Sequence, residues 1–384
     1  MWAEYDVVDA DSHIMEPLWL WQEYLDPAFR EQGLTVRRDV LDGDKLIIDG
    51  IPSRLVRRLG GVRPVAGEEI RDWNHLPAEG EYASYRESCL PESWDPITRL
   101  AWMDDKGIDR TWLFPSLGLI WPREVDPLSA YAKAHHRAYN RWVAEMASAT
   151  HGRLVPVAQM SLGTVEEITS DLQAIAAAGF RHVALPWGLR PGLRREFVTF
   201  CAQAERRGLA IHVHKVAVPH FLPLEDTCGV SSADMGRFFN HVNETLPGQL
   251  CLAGLFDLGI PDACPELRWV FHECNAGWVP AWLDRANESY ATTRGQGASP
   301  LKHEPSHYIL EKKAFFFSTG TGERLANIPD EFHGNILMAT DFPHPGTPLD
   351  PRSDWMAAIE ELPETSRADI VGRTAVAIMG GESR

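Results

Sequence analysis

The sequence predicts an α/β protein built on a (β/α)₈ barrel, and three observations support that prediction. First, short apolar strand patterns are followed by helical material eight times along the 384 residues, and repeated β-then-α units form parallel strands with right-handed crossovers. Second, two helical patterns end at Gly179 and Gly208, and a strand pattern begins soon after each. Third, no glycine-rich phosphate loop follows the first strand, which argues against an open doubly wound sheet.

Each element is predicted from its periodicity: strands from apolar, β-branched runs and helices from apolar residues that recur on one face. The eight strands are predicted at residues 5–9, 111–114, 154–160, 182–186, 209–214, 268–273, 314–318 and 336–340. Helices are predicted at residues 18–29 (or a turn), 96–106, 130–149, 165–178, 193–207, 231–246, 279–290 and most of 355–379. In such a barrel the site lies at the carboxyl ends of the strands.

Residues 33–91 depart from this alternation and are predicted to form a small β-containing insertion after the first strand. Residues 34–38 and 45–51 flank an Asp42-Gly43 pair, which indicates a β-hairpin. Residues 57–91 are rich in glycine, proline and charge and show no clean period. Long insertions in compact domains are usually functional or mobile. We therefore expect a lid on a single barrel domain that spans residues 1–384.

Composition and charge argue against several classes of function. The chain has 37 basic and 54 acidic residues and a formal charge of −17, which disfavours binding to nucleic acid or to anionic membranes. No apolar run approaches the ~18–20 residues of a membrane span. The six cysteines show no C-x-x-C spacing, so we expect the reduced thiols of a cytoplasmic protein.

Side chains that can bind metal collect at the predicted strand ends. Asp11 and His13 follow the first strand, and residues two apart share one face of an extended chain. The later candidates are His212 and His214 on the fifth strand, His272 and Glu273 on the sixth, and Asp341 and His344 after the eighth. Imidazoles and carboxylates are ligands of Zn²⁺ and Mn²⁺. The second and third strand ends carry no such side chain.

The sequence resembles the amidohydrolase-related metalloenzymes of the aminocarboxymuconate-semialdehyde decarboxylase type, also called the amidohydrolase-2 family. The matching segments are DADSHIMEP, RLAWMDDKGIDRTWLFPS, YNRWVAEMASATHGRLVPVAQMSL, AAAGFRHVALP, LRWVFHECNAGWVPAWLDR and MATDFPHPG. Their order fits the family throughout, and together they cover most of the chain outside the insertion. The first and the last segments are the most specific.

The resemblance implies one divalent ion in the barrel mouth, with Zn²⁺ expected and Mn²⁺ as the alternative. Its ligands would be Asp11, His13, His214 and Asp341. The family often has a histidine followed by glycines after the sixth strand, whereas this chain has the segment HECN. Either His272 or Glu273 could therefore hold the acid/base position. His272 is favoured because imidazole titrates near neutrality.

The resemblance also implies a reaction, the non-oxidative decarboxylation of an aromatic or unsaturated carboxylic acid. Asp341 would handle the proton, and His272 would stabilise or relay charge. The alternative is a metal-dependent hydrolase of an amide, a lactone or a carbon–carbon bond, in which Asp341 would deprotonate a water. The expected partners are a small-molecule carboxylic acid and a second copy of the chain in a homodimer.

Four residues around these positions are candidates for substrate binding: Glu16, Trp187, His212 and His344. The odds favour a structural or supporting role for His212 over ligation. His182 opens the fourth predicted strand, and there too a structural role is favoured. The identity of the substrate does not follow from the sequence, because the pocket depends on loops whose folds it does not determine.

Overall fold

The computed structural model describes residues 4–39, 44–56, 85, 89–190, 192–214, 242–297, 299–344, 347–348 and 350–380. Within these residues, eight parallel strands follow one another in chain order around a barrel. They are β1 (Val8–Ile14), β5 (Arg110–Pro115), β6 (Leu154–Ala158), β7 (His182–Ala184), β8 (Ala210–His214), β9 (Trp269–His272), β10 (Phe315–Thr319) and β11 (Ile336–Met338). The predicted (β/α)₈ fold is confirmed.

The first strand differs from its prediction in a way that matters for the site. β1 runs from Val8 to Ile14 rather than over residues 5–9, so Asp11 and His13 lie inside the strand. Its pairing register with β5 shifts between Asp9 and Ser12, and such a bulge redirects neighbouring side chains. The polar segment DADSH is typical of a loop, yet every residue of β1 is buried.

The barrel closes between β1 and the segment that follows β11. The Asp341 N–H donates to the Asp11 carbonyl oxygen at 2.8 Å. The Asp9 carboxylate accepts from the Thr340 N–H at 2.8 Å and from its hydroxyl at 2.6 Å. Burial raises the pKa of Asp9 to about 7, although both of these hydrogen bonds lower it. The contacts that close the barrel thus also hold the two candidate ligand segments together.

The barrel interior is a packed core and not a pore, as expected for this architecture. Its members come from alternate positions of the strands: Val8, Ala10, Trp112, Phe114, Val157, Ala184, Val270, Phe316 and Leu337. A larger apolar layer packs the outer faces of the strands against the helices. The polar candidate site residues at the carboxyl ends of the strands therefore lie directly above a packed apolar core.

Helices surround the barrel, and none in the described part of the chain is long and apolar enough to cross a membrane. They are α1 (Trp19–Glu23), α2 (Pro96–Lys106), α3 (Ala130–Ser148), α4 (Val165–Ala177), α5 (Arg194–Arg206), α6 (Leu246–Asp257), α7 (Ile260–Ala263), α8 (Val279–Gly295), α9 (Pro351–Ile359), α10 (Glu364–Ala368) and α11 (Thr374–Ile378). Short 3₁₀ helices lie at Pro27–Gln32, Pro91–Ser93, Leu117–Leu119, Trp121–Arg123, Leu325–Asn327 and Asp330–Asn335, and π-helical turns at His307–Glu311 and Asp369–Arg373. The ends follow local chemistry: Thr164 and Glu167 form a capping box at the start of α4.

A second, antiparallel sheet follows β1 and consists of β2 (Thr35–Arg37), β3 (Lys45–Ile48) and β4 (Ile51–Pro52). Its β2–β3 pair, with Thr35 opposite Ile47, confirms the predicted hairpin strands. The Asp42-Gly43 turn and residues 57–84 and 86–88 lie outside the described residues. The bounds of the insertion, residues 33–91, and its role as a lid therefore stay predictions. The helix predicted at residues 231–246 also falls mostly outside the described residues.

The floor of the barrel offers a test of this packing at Gly372. This glycine lies in the turn Asp369–Arg373, where a Cβ would overlap the carbonyl oxygen of Asp6. The G372A substitution should lower the free energy of unfolding by about 3 kcal/mol or more, because overpacking against backbone cannot be relieved by a side-chain rotation.

Gly295, at the end of α8, provides the matched control. A Cβ there meets no atom within 4 Å, so G295A should change the free energy of unfolding by less than about 1 kcal/mol. Urea denaturation of both variants makes the comparison. Equal stabilities would show that the turn does not pack against the start of β1 as described.

Candidate metal centre

Four of the predicted ligands converge at the carboxyl end of the barrel. His13 Nε2 lies 3.2 Å from His214 Nε2, 3.2 Å from Asp341 Oδ1 and 3.5 Å from Asp11 Oδ1. His214 Nε2 is 3.4 Å from the same oxygen of Asp11. Donor atoms of Asp11, His13 and His214 all lie within 4.8 Å of one another, and Asp341 meets them at His13 Nε2, in a second group that also holds Glu273 and His344. The sequence placed these four side chains at strand ends, and the structure brings them together.

The donor chemistry at this point fits a divalent cation. The Pro115 carbonyl oxygen lies 3.0 Å from His13 Nδ1 and can only accept, so a neutral His13 presents a lone pair at Nε2. Asp11 Oδ1 is buried and has no hydrogen-bond partner among the described residues. A buried carboxylate oxygen left in this state is costly unless it binds a cation. Two imidazoles and two carboxylates form a ligand set suited to Zn²⁺ or Mn²⁺.

The protein's own charges at this point are strongly coupled. Burial alone would lower the pKa of His13, but the neighbouring carboxylates of Asp11 and Asp341 raise it well above the usual value. Burial alone would raise the pKa of Asp11, but His214 and His272 hold it well below the usual range. A positive charge is therefore favoured among these groups, whether it is carried by an imidazolium or by a metal ion.

Asp341 is held in place by its own backbone and by His344. Its φ of +57° lies in the left-handed region, which aspartate tolerates better than most side chains. His344 Nδ1 is 3.0 Å from Asp341 Oδ1, and His344 Nε2 is 3.0 Å from the Ser116 hydroxyl. The His344 ring also stacks on His13, with centroids 3.9 Å apart. These contacts hold Asp341 at the mouth; substrate binding by His344 stays a prediction.

His272 and Glu273 both face the site, although an extended chain would direct them to opposite faces. β9 ends at His272, and Glu273 has a φ of +51°, which turns the chain away from the strand. The fully buried His272 places Nδ1 3.5 Å from Asp11 Oδ2. The partly exposed Glu273 lies at the mouth, where its carboxylate and donor atoms of His13, Asp341 and His344 all lie within 4.8 Å of one another.

Known proteins share this fold. A family model described as Amidohydrolase matches residues 72–380, which is more than half of the chain. The chain belongs to the amidohydrolase family. Among curated proteins, no sequence matches it.

Solved structures of amidohydrolase-fold proteins superpose over almost the whole chain at low sequence identity. An amidohydrolase from Mycobacterium avium subsp. paratuberculosis is 17% identical with a TM-score of 0.77, over 98% of this chain and 99% of that chain. The 5-carboxyvanillate decarboxylase LigW from Sphingomonas paucimobilis is 18% identical with a TM-score of 0.64, over 98% and 99%. The 5-carboxyvanillate decarboxylase from Novosphingobium aromaticivorans, complexed with manganese and 4-hydroxy-3-methoxy-5-nitrobenzoic acid, is 15% identical with a TM-score of 0.64, over 98% and 97%.

Glu16 of this amidohydrolase supports the loop after β5. Its carboxylate accepts hydrogen bonds from the N–H groups of Ser116, Leu117 and Gly118 at 3.1, 2.9 and 2.7 Å. Burial raises the pKa of Glu16, while the same amides lower it. Both carboxylate oxygens of Glu16 thus accept hydrogen bonds from this loop. The same loop includes Ser116, whose hydroxyl contacts His344. A contact between Glu16 and the substrate stays a prediction.

A cavity of about 250 Å³ opens beside the candidate metal centre of the amidohydrolase. The residues that line it include Leu119, Gln159, Trp187, His212 and His214. Trp187 lines this cavity, and its contact with a substrate stays a prediction. His212 lines the cavity but also lies within hydrogen-bond distance, 2.8 Å, of both His182 and His272. The sequence analysis did not select Gln159, because it looked for imidazole and carboxylate side chains at the strand ends and Gln159 has an amide.

Arg99 is a second residue that the sequence analysis missed. It lies on α2, is buried, and donates to the Ser12 hydroxyl at 2.6 Å and to the His13 carbonyl oxygen at 3.1 Å. Its guanidinium also lies over the ring of Phe342, 4.2 Å from the centroid. Burial lowers the pKa of Arg99 to about 9. This side chain ties β1 to the segment that carries Asp341; the only signal in the sequence is an arginine on an otherwise apolar helix face.

Proposed function

We propose that this amidohydrolase is a divalent-metal-dependent, non-oxidative decarboxylase of an aromatic or unsaturated carboxylic acid. The observation that carries the proposal is the convergence of Asp11, His13, His214 and Asp341 beside a cavity of about 250 Å³. That cavity has room for one aromatic ring with its substituents, and Trp187 and Leu119 give it apolar walls. Two of the structures with the same fold are 5-carboxyvanillate decarboxylases.

The four converging side chains would hold the ion. When bound, a divalent ion supplies Lewis acidity that can draw in the substrate carboxylate and a neighbouring oxygen. The apolar wall at Trp187 and Leu119 would orient the ring and exclude water from it. His344 and Ser116 would keep the Asp341 carboxylate directed at the mouth.

The reaction requires one proton and releases one carbon dioxide. The bond between the ring carbon and the carboxyl carbon breaks, and its electron pair stays on the ring carbon, where a proton takes the place of carbon dioxide. Burial alone would raise the pKa of Asp341, but His344 and His13 lower it to about 2. Asp341 is therefore ionised near neutral pH and can accept a proton from solvent or substrate and pass it to the ring carbon. His272 would stabilise the charge of Asp11 during this transfer.

A second candidate function, a hydrolase of an amide, a lactone or a carbon–carbon bond, is favoured by one specific feature. Glu273 adds a carboxylate to the mouth beside Asp341, His13 and His344. Like charges a few ångströms apart oppose the entry of an anionic substrate, and a neutral substrate avoids this cost. In this function Asp341 would accept a proton from water.

Two measurements on one preparation distinguish the candidates. The purified protein is analysed for metal, loaded with Mn²⁺ or Zn²⁺, and screened against hydroxybenzoates and related acids for release of carbon dioxide. The decarboxylase predicts carbon dioxide in equal amount to product and solvent deuterium on the product ring. Oxygen-18 from water in the product, without carbon dioxide, would contradict the decarboxylase and favour the hydrolase.

Three finer predictions from the sequence belong with this proposal. Zn²⁺ is the expected ion and Mn²⁺ the alternative, and a manganese complex among the solved structures supports the second. The homodimer and the cytoplasmic location stay predictions. Sedimentation of the purified protein tests the homodimer directly.

A further inference from the structure

Three histidines from neighbouring strands form a continuous chain through the barrel interior. His182 Nδ1 lies 2.8 Å from His212 Nε2, and His212 Nδ1 lies 2.8 Å from His272 Nε2. The chain ends where His272 Nδ1 lies 3.5 Å from Asp11 Oδ2. All three histidines are fully buried. His182 is the far end of a path that leads to the metal centre.

The barrel's strand register produces this path. His182 pairs with Ala210, two residues before His212, and His212 pairs with Val270, two residues before His272. Each histidine therefore stands one interior layer above the previous one, along the shear of the barrel. The chain rises diagonally from the packed core to the mouth.

The surroundings favour the neutral form of these imidazoles. The ring of Trp112 lies 4.9 Å from His182 and 5.0 Å from His212, centroid to centroid. Burial lowers the pKa of His182 to about 3, and each 2.8 Å contact between two ring nitrogens needs one donor and one acceptor. A neutral imidazole carries one N–H and one lone pair. Every link in the chain must therefore point the same way, so only two arrangements exist.

The two arrangements differ at the ends. If each histidine is protonated at Nδ1, His272 directs an N–H at the Asp11 carboxylate and His182 leaves a lone pair at Nε2. If each is protonated at Nε2, a lone pair faces the carboxylate and His182 buries an N–H. Among the described residues, neither His182 Nε2 nor His272 Nδ1 has a partner in hydrogen-bond geometry, and His272 Nδ1 lies 3.5 Å from the Asp11 carboxylate. A buried N–H without a partner is rarer in proteins than an unfilled acceptor, which disfavours a proton on His182 Nε2. A carboxylate attracts an N–H and repels a lone pair, which favours a proton on His272 Nδ1.

We propose that His182 is a positioning residue that, through His212, holds His272 as the Nδ1–H tautomer directed at Asp11. The consequence is that Asp11 receives a donor at Oδ2, which leaves Oδ1 directed at His13 and His214. Residues that hydrogen-bond to metal ligands, and so orient them, typically weaken metal binding by about 10–100-fold when they are replaced. The predicted effect on metal binding rests on the proposed function. The predicted tautomers of the metal-free protein do not depend on it.

The experiment compares three substitutions of His182 with a control. An asparagine amide nitrogen lies near the position of Nδ1, so H182N should keep the donor and bind Mn²⁺ within about threefold of the wild type. H182Q, whose amide extends past Nδ1, and H182F, which has no donor, should each bind Mn²⁺ about 10-fold more weakly. His135, another fully buried histidine, lies on α3, and H135F should leave the affinity unchanged.

The tautomers are read separately, by proton–nitrogen correlation spectra of metal-free protein labelled with nitrogen-15 in histidine. We expect His182, His212 and His272 to carry their protons on Nδ1, and His272 to lose this signature in H182F but not in H182N. An Nε2 proton on His212 or His272 in the wild type would overturn the proposal. Equal Mn²⁺ affinity in folded H182Q and H182N would overturn it too, even if H182F does not fold.

The two proposals fail in different ways. A wild-type protein that binds no divalent ion at the mouth would refute the proposed function and leave the tautomer result standing. A protein that binds the ion and decarboxylates, but has its histidines protonated at Nε2, would refute only the role of His182.

Discussion

The D341N variant is expected to lose about 10³-fold or more in kcat while it remains folded. Asparagine has the shape of aspartate and also tolerates a φ of +57°, so the backbone at the end of β11 should not change. The amide cannot take up a proton, and a general acid–base group contributes about 10²–10⁴-fold. Loss of one negative ligand should add to this by weakening metal binding.

The matched control for D341N is the same substitution at Asp330, whose carboxylate is exposed and lies beside His333. D330N should keep kcat within about twofold, as expected for a surface change. The comparison requires that both variants melt near the wild-type temperature and that metal is present in excess. A D341N variant with full metal content and more than a tenth of the wild-type kcat would remove Asp341 from the chemistry.

The H214A variant is expected to lose the metal and, with it, the activity. His214 Nε2 is 3.2 Å from His13 Nε2 and 3.4 Å from Asp11 Oδ1, so its removal takes one of the two nitrogen donors from the centre. We expect metal content after dialysis to fall to less than about a tenth of the wild-type value, because three ligands hold a labile ion less tightly than four. Mass spectrometry of the metal in dialysed protein measures this.

An exposed histidine controls for non-specific metal uptake. H303A removes a side chain on the surface, and its metal content should equal that of the wild type. If H214A kept a full equivalent of metal while H303A lost it, the ion would bind outside the barrel mouth. A circular dichroism spectrum unchanged in both variants shows that the comparison concerns binding and not folding.

The barrel could be predicted from local sequence patterns, and the four candidate ligands from their places at strand ends together with the family resemblance. Strands with a period of two direct Asp11 and His13, or His212 and His214, to one face, and parallel strands bring their carboxyl ends to one side. The ends of two helices followed from Gly179 and Gly208, which both adopt a positive φ.

Other features depended on backbone geometry or on strand register, which periodicity does not report. The bulge in β1 converted a polar, loop-like segment into buried strand. The left-handed backbone at Glu273 brought its carboxylate to the mouth. His182 was interpreted as structural because its link to His272 exists only in the register of three strands. Arg99 contacts His13 and Phe342, which lie in two segments far apart in the chain.

The most direct test of the metal centre is anomalous X-ray diffraction, recorded at the absorption edge of the metal from crystals loaded with Mn²⁺ or Zn²⁺. The site predicts a single peak within about 2.0–2.3 Å of Asp11 Oδ1, His13 Nε2, His214 Nε2 and Asp341 Oδ1. A peak bound by other residues, or loaded crystals with no peak between these four atoms, would contradict it.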